Sequence, residues 1–267
     1  MNSVRLACCN FLPEVAALKE FALTHGFDGV DWSFFPEDLP DSPAAESSYV
    51  KAISLLHPLE VRYHCPFNNM DLGNENPAEA QKAKQVFRRV CRLVSKVGGR
   101  VLTIHIGLGL DHTLDLCWER TVKGLADLVS FANHLGVRLC LENLALGWTS
   151  RPELFEKLLR TTNVWGTIDI GHAQVSPSVE SRLFRVADFV MPHRERFLNA
   201  HIYHEERASG HLPPKNLSDL WERLLLLQKL PLCTWWVLEL REEAALLQTL
   251  AIVREFLNQA SRSLARS

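Results

Sequence analysis

The chain has 267 residues, 47% hydrophobic and 22% charged, which is ordinary globular composition and long enough for one large α/β barrel or two small domains. With 29 Lys and Arg against 31 Asp and Glu the net charge is −2, so no bulk positive charge recommends nucleic acid or an acidic membrane as a partner. The start of the chain lacks a charged segment followed by a long apolar one, and no apolar run reaches the length of a bilayer span, so neither a signal peptide nor a membrane helix is expected.

Residues 4–9 form an apolar run read as a strand, followed by Asn10 and a helical pattern over 13–25 that Gly26 ends. A second strand is read at 27–32 with Asp31 near its end; a Pro-rich loop and a helix over 47–56 follow. The third strand, 60–65, ends in His64-Cys65-Pro66. A polar loop leads to a long amphipathic helix from Pro77 to about residue 97, stopped by Gly98-Gly99. The fourth strand, 101–106, carries His105, and Gly107 and Gly109 open the loop after it. A helix is expected over 113–135, then a fifth strand at 137–141 closed by Glu142-Asn143. Ser150-Arg-Pro-Glu153 reads as a capping box for a short helix to residue 160.

The sixth strand, within 165–172, ends in Asp169-Ile-Gly-His172, where the Asp has a plain alternative role as cap of the next turn. A helix start is read at 176–178. The seventh strand, 197–203, carries His201, and the loop after it holds Glu205, Glu206, Arg207 and His211. A helix over 218–227, an eighth strand at 235–240 with Glu239, and a helix over 242–260 complete the chain. Seven cysteines occur without a CxxC pair, mostly in apolar runs, the usage expected of buried thiols in a reducing cytoplasm.

Eight strands alternating with helices, at starts roughly 25–40 residues apart, imply parallel pairing and a closed (β/α)8 TIM barrel as a single domain over 1–267. A doubly wound sheet is the alternative, but its only Gly-rich phosphate turn, Gly107-Leu-Gly109, is misplaced. In a barrel, His64, His105, Glu142, Asp169, His172, His201 and Glu239 all fall at the C-terminal ends of strands, the face where such folds place their sites. Each has an innocent reading alone. Together, three carboxylates repel unless a divalent cation relieves them. Glu142, Asp169, His201 and Glu239 offer hard oxygens and one imidazole, a set that suits Mn²⁺ first, then Co²⁺ or Mg²⁺. His64, His105, His172 and His211 remain for a Zn²⁺-capable neighbouring site or for substrate. Cys65 is set aside, because strand neighbours point to opposite faces.

These stretches resemble the xylose isomerase-like barrel superfamily, which contains sugar and sugar-phosphate isomerases and epimerases and, as relatives, the endonuclease IV-type hydrolases. The matching segments are His64-Cys-Pro-Phe-Asn-Asn, Thr103-Ile-His-Ile-Gly107, Leu141-Glu-Asn143, Asp169-Ile-Gly-His172, His201-Ile-Tyr-His, His211-Leu-Pro-Pro214 and Val237-Leu-Glu-Leu240. The epimerase resemblance implies metal ligands Glu142, Asp169, His201 and Glu239, catalysis by Glu142 and Glu239, and substrate contacts from His172 and Arg207, the latter as a phosphate holder. The hydrolase resemblance implies more metal, held also by His64, His105, His172, His211 and an Asp two residues before the last of these. Here that place is Ser209, which puts a third metal in doubt, and Lys215-Asn216 depart from the usual Gly and acidic residue.

The resulting expectation is a cytoplasmic, divalent-metal-dependent isomerase or epimerase of a small hydroxy-carbonyl compound such as a sugar or sugar phosphate. A metal-dependent phosphodiester hydrolase is the alternative, and a non-enzymatic ligand-binding barrel a third. Oligomeric state is left open.

Overall fold

The apolar runs become strands because each is buried on both faces, once by the barrel interior and once by helices. A computed structural model describes residues 3–108 and 116–264. In chain order the strands are β1 (Arg5–Cys9), β2 (Gly29–Ser33), β3 (Glu60–Cys65), β4 (Val101–Ile104), β5 (Arg138–Glu142), β6 (Trp165–Asp169) and β7 (Phe197–Ile202). There follow a short hairpin of β8 (Glu205–Arg207) and β9 (Gly210–Leu212), and then β10 (Trp235–Leu238). β1 to β7 and β10 pair in sequence, all parallel, and β10 returns to β1 with Arg5 opposite Trp235 and Cys8 opposite Leu238. The fold is therefore the expected (β/α)8 barrel.

The helices are α1 (Val15–Thr24), α2 (Pro43–Ser54), α3 (Pro77–Lys96), α4 (Trp118–His134), α5 (Pro152–Thr162), α6 (Ile170–Val175), α7 (Pro177–Glu180), α8 (Trp221–Leu227) and α9 (Glu243–Leu264). α3 buries Ala80, Ala83, Phe87, Val90, Cys91 and Val94, a spacing that keeps one stripe on the barrel. None of the described helices is long and apolar enough to cross a membrane.

Several boundaries differ from the sequence reading, each for a local reason. α2 starts at Pro43, four residues before 47, because Ser42 accepts a hydrogen bond from the Ala45 N–H and Pro43 suits the first turn. The expected capping box at Ser150 and Glu153 does not form. Residues 148–150 make a 3₁₀ turn in which the Ser150 hydroxyl donates to the Gly147 carbonyl, and Glu153 pairs with Arg151. The expected start of α4 at 113 lies outside the described residues; Leu116 bridges to Asn74 and Cys117 precedes the helix. After β6, the barrel has no single long helix: α6 and α7 are short and 3₁₀ turns at 186–189 and 191–196 complete the return.

Below the strand ends the barrel interior is polar but closed by hydrogen bonds. The Thr103 and Thr167 hydroxyls are 2.8 Å apart, and the Asn199 amide donates to them at 3.1 and 3.2 Å. The buried Arg62 guanidinium bonds the Leu198 carbonyl at 3.0 Å and the Asn199 side-chain oxygen, and lies over the Trp235 ring. This hydrogen-bonded layer is the floor on which the C-terminal residues sit.

Candidate metal centre

The strand ends bring six predicted residues, His64, His105, Glu142, Asp169, His201 and Glu239, to one face. Glu142, Asp169, His201 and Glu239 each offer one donor atom within 4.8 Å of the others. The His201 Nδ1 is 3.1 Å from Glu142 Oε2 and 3.0 Å from Glu239 Oε2. His64 and His105 face each other through their Nε2 atoms at 2.8 Å, and both approach Glu142 Oε2, at 3.4 and 3.3 Å.

Local structure aims these groups. Asp169 ends β6 and caps α6: its Oδ1 accepts from the Gly171 and His172 N–H groups at 2.8 and 2.7 Å, which leaves Oδ2 turned into the cluster. Both the innocent cap and the ligand role are thus open to one carboxylate. Asn143 clamps the same strand end, donating to the Asp169 carbonyl at 2.9 Å and accepting its N–H at 2.8 Å. Gly171 leaves room for Tyr203, since a Cβ there would lie 2.1 Å from the tyrosine ring.

The electrostatics show what is unbalanced. Burial would raise the Glu142 carboxyl, but His201, His105 and His64 outweigh it and hold the group well below the usual carboxylate range. Burial likewise opposes Glu239, which His201 holds low. Burial lowers His201, but Glu142 and Glu239 overcome this and hold the imidazolium far above its ordinary range. Burial pushes Asp169 up to about 6, only partly offset by His172, and pushes His64 down to about 3 against the pull of Glu142. Within this set Glu142 Oε1 and Oε2, Asp169 Oδ2, Glu239 Oε2 and both His201 nitrogens are buried without a hydrogen-bond partner. Close approach without pairing is costly in a protein interior. A divalent cation fits this donor set: it would satisfy the orphaned oxygens and cancel the carboxylate repulsion.

The other expected residues are placed unevenly. His172 is buried, with Nδ1 3.1 Å from the Asn143 carbonyl oxygen and Nε2 3.2 Å from Glu206 Oε2. His211 stacks on Tyr203 at 3.8 Å between ring centres and is 5.8 Å from the His172 ring. Arg207 is not brought to the cluster: it is exposed and pairs with Glu205 at 2.9 Å. Strand alternation is the reason, because in β8 the inward position falls to Glu206 and Arg207 points away. Gly107, from the weak phosphate turn, has its N–H taken by Asp71, and Gly109 lies outside the described residues.

Two residues of the site went unassigned in the sequence reading. Asp31, on β2, groups with His64 and His201, and burial pushes it up to about 6. Its strand-end position was the available signal. Glu206 had none, since only the hairpin register turns it inward. Six of the seven cysteines are buried, among them Cys8 and Cys9, and burial pushes the Cys8 thiol up to about 12.

A closed (β/α)8 barrel with carboxylates and histidines gathered at its C-terminal mouth defines the class of protein. The profile of the xylose isomerase-like TIM barrel family matches residues 20–252, and the chain belongs to that family. Among curated proteins it is 27% identical over 201 residues to the uncharacterised protein MJ0008 of Methanocaldococcus jannaschii, covering 74% of this chain and 80% of that one. Among solved structures it resembles an L-ribulose 3-epimerase (TM-score 0.73, 16% identity, 98% of this chain and 97% of that one). It is also similar to a D-tagatose 3-epimerase-like protein (0.72, 16%, 97% and 99%). The endonuclease IV of Thermus thermophilus is similar as well (0.66, 19%, 96% and 99%). At such identities the structural likeness speaks to the fold.

Proposed function

We propose that this protein is a divalent-metal-dependent isomerase or epimerase of a sugar or related hydroxy-carbonyl compound, working as one barrel domain in the cytoplasm. The observation that carries the reading is the four-residue set Glu142, Asp169, His201 and Glu239, the first three buried and Glu239 half-buried, in which Glu142 Oε1 and Oε2, Asp169 Oδ2 and Glu239 Oε2 have no hydrogen-bond partner. These residues would hold one divalent cation, Mn²⁺ before Zn²⁺, Co²⁺ or Mg²⁺, and when bound it supplies Lewis-acid stabilisation of an enediolate. Glu142 and Glu239 come from different strand ends and approach one nitrogen of His201 from two sides. Both are held ionised, so either can accept a proton from the carbon between a hydroxyl and a carbonyl and, once protonated, return it to the enediolate. His172, fixed by the Asn143 carbonyl, would orient a substrate oxygen. Because Arg207 pairs with Glu205 on the outside, an unphosphorylated substrate suits the site better than a sugar phosphate.

A second reading has one specific support. His64 and His105 meet beside Glu142, a grouping that an additional cation of a phosphodiester hydrolase would use. One experiment separates the two. Ketoses incubated with the Mn²⁺-loaded protein in deuterated water should take up deuterium beside the carbonyl. Glu239→Gln should lower that exchange by roughly 10²–10⁴-fold, the range of general acid–base catalysis. If no ketose exchanges while a phosphodiester is cleaved in a reaction that needs His64 and His105, the isomerase reading is wrong.

A further inference from the structure

Beyond Glu142 and Asn143 the loop after β5 continues as Leu144-Ala-Leu146-Gly147, and the chain after α7 runs Arg182-Leu-Phe184. Both stretches turn through left-handed residues, Gly147 (φ 83°) and Arg182 (φ 60°), and Leu146 and Leu183 stand 70% and 78% exposed. With Leu144 and Phe184 they wall a cleft of about 920 Å³ that His172 and Glu206 also line. His172 Nδ1 lies 3.5 Å from Glu142 Oε1 and 3.3 Å from Asp169 Oδ2, so the cleft opens directly beside the four-residue set. We propose that it receives a neutral apolar substituent of the substrate, an alkyl or aryl group carried by the hydroxy-carbonyl compound. The reacting head of that molecule rests on the isomerase reading, and its apolar group rests on the cleft.

The polar side chains of the cleft are already engaged. The Ser150 hydroxyl donates to the Gly147 carbonyl at 2.8 Å, Ser178 to the Ser150 carbonyl at 3.1 Å and Ser181 to the Pro177 carbonyl at 2.6 Å. Arg151 pairs with Glu153 at 2.6 Å, and His172 with Glu206 at 3.2 Å. Among the described residues of the cleft, every hydroxyl proton and every cation therefore has a protein partner. A phosphate entering it would meet two carboxylates and no unshared cation. A polyhydroxylated chain would give up water without recovering its hydrogen bonds. An alkyl or aryl group pays neither cost and covers leucines that otherwise face solvent, a use that exposed apolar patches commonly mark.

Size points the same way. The cleft is near the top of the roughly 300–1,000 Å³ range of small-molecule sites, more room than a bare ketose fills. Each methylene fully buried against such walls tightens binding roughly fourfold. A chain-length series is thus the direct measure of the cleft.

The parent ketohexose, its 6-O-methyl, butyl, hexyl and octyl ethers and its 6-phosphate are titrated calorimetrically into the full chain with Mn²⁺ present, and their deuterium uptake is followed in parallel. Affinity should rise roughly two- to fourfold per methylene, at one ligand per chain, and the 6-phosphate should bind no better than the parent. Leu146→Ser and Leu183→Ser should each flatten the rise. Leu55→Ser, at a residue 57% exposed beyond the end of α2 and outside the cleft, should keep it. All three side chains are exposed, so the variants should fold. A flat series in the wild type, tighter binding of the 6-phosphate, or an equal slope in all three variants would overturn the proposal. So would a dimer, seen by sedimentation, that Leu146→Ser and Leu183→Ser dissociate, since a second copy of the chain would then cover these leucines. The two ideas fail separately. A length-dependent affinity without any deuterium uptake removes the isomerase reading and leaves the cleft, whereas deuterium uptake with a flat series does the reverse.

Discussion

At the scale of single residues, buried carboxylates divide into those with partners and those without. Asp71 is buried between the loops after β3 and β4, where it accepts from the Gly73 N–H at 2.8 Å and from the Gly107 N–H. Burial still outweighs these bonds and pushes it from its ordinary 3.8 up to about 6. A native-state value raised above the unfolded one contributes stability below pH 3.8 that is lost as pH rises through about 6. Asp71→Asn has no such titration. The stability advantage of wild type over this variant should therefore shrink by up to about 3 kcal/mol between pH 4 and pH 7. Urea unfolding of both proteins at the two values checks this; a pH-independent difference would contradict it. Asp169 differs in kind, because one oxygen is satisfied by α6 while the other has no protein partner.

Among the elements, the β6–α6 turn and the β8–β9 hairpin depend on one another through Tyr203. The tyrosine ring fills the space a side chain at Gly171 would need and stacks on His211 at 3.8 Å. Gly171→Ala should cost about 1–3 kcal/mol of stability by overpacking, since a Cβ would meet the ring at 2.1 Å. Denaturant unfolding measures the cost. The proton resonances of the His211 ring should move in the same variant, because the ring that stacks on it must shift. A change confined to stability, with the His211 signals unmoved, would mean that α6 rather than Tyr203 gives way.

At the scale of the whole molecule, the strand ends of β3 to β7 and the segment after β10 are tied together by charges that the barrel brings into contact. A cation that binds the native chain and not the unfolded one should therefore stabilise the entire barrel by mass action. At 100-fold excess over its dissociation constant the gain is about 2.7 kcal/mol, and for a chain of this size about 2–4 °C in Tm per kcal/mol. A chelator should lower the melting temperature by roughly 5–10 °C and added Mn²⁺ should restore it. Calorimetric scans indifferent to both treatments would mean that Glu142, Asp169, His201 and Glu239 hold no ion.

The sequence by itself determined the eight strands of the barrel, the alternation with helices and the strand-end position of His64, His105, Glu142, Asp169 and His201. Those features are written in local periodicity and in polar residues that interrupt apolar runs, so neighbours along the chain suffice to read them. Tertiary structure alone decided which of the remaining residues enter the site. Asp31 joins because β2 lies beside β3, which brings it within reach of His64 and His201. Arg207 stays out and Glu206 comes in because the loop after β7 is a hairpin, and one step along a strand reverses the side a residue faces. No spacing in the sequence announces that hairpin: its strands are three residues each, and its register becomes fixed when His211 reaches the Glu239 carbonyl and Tyr203 across the barrel mouth.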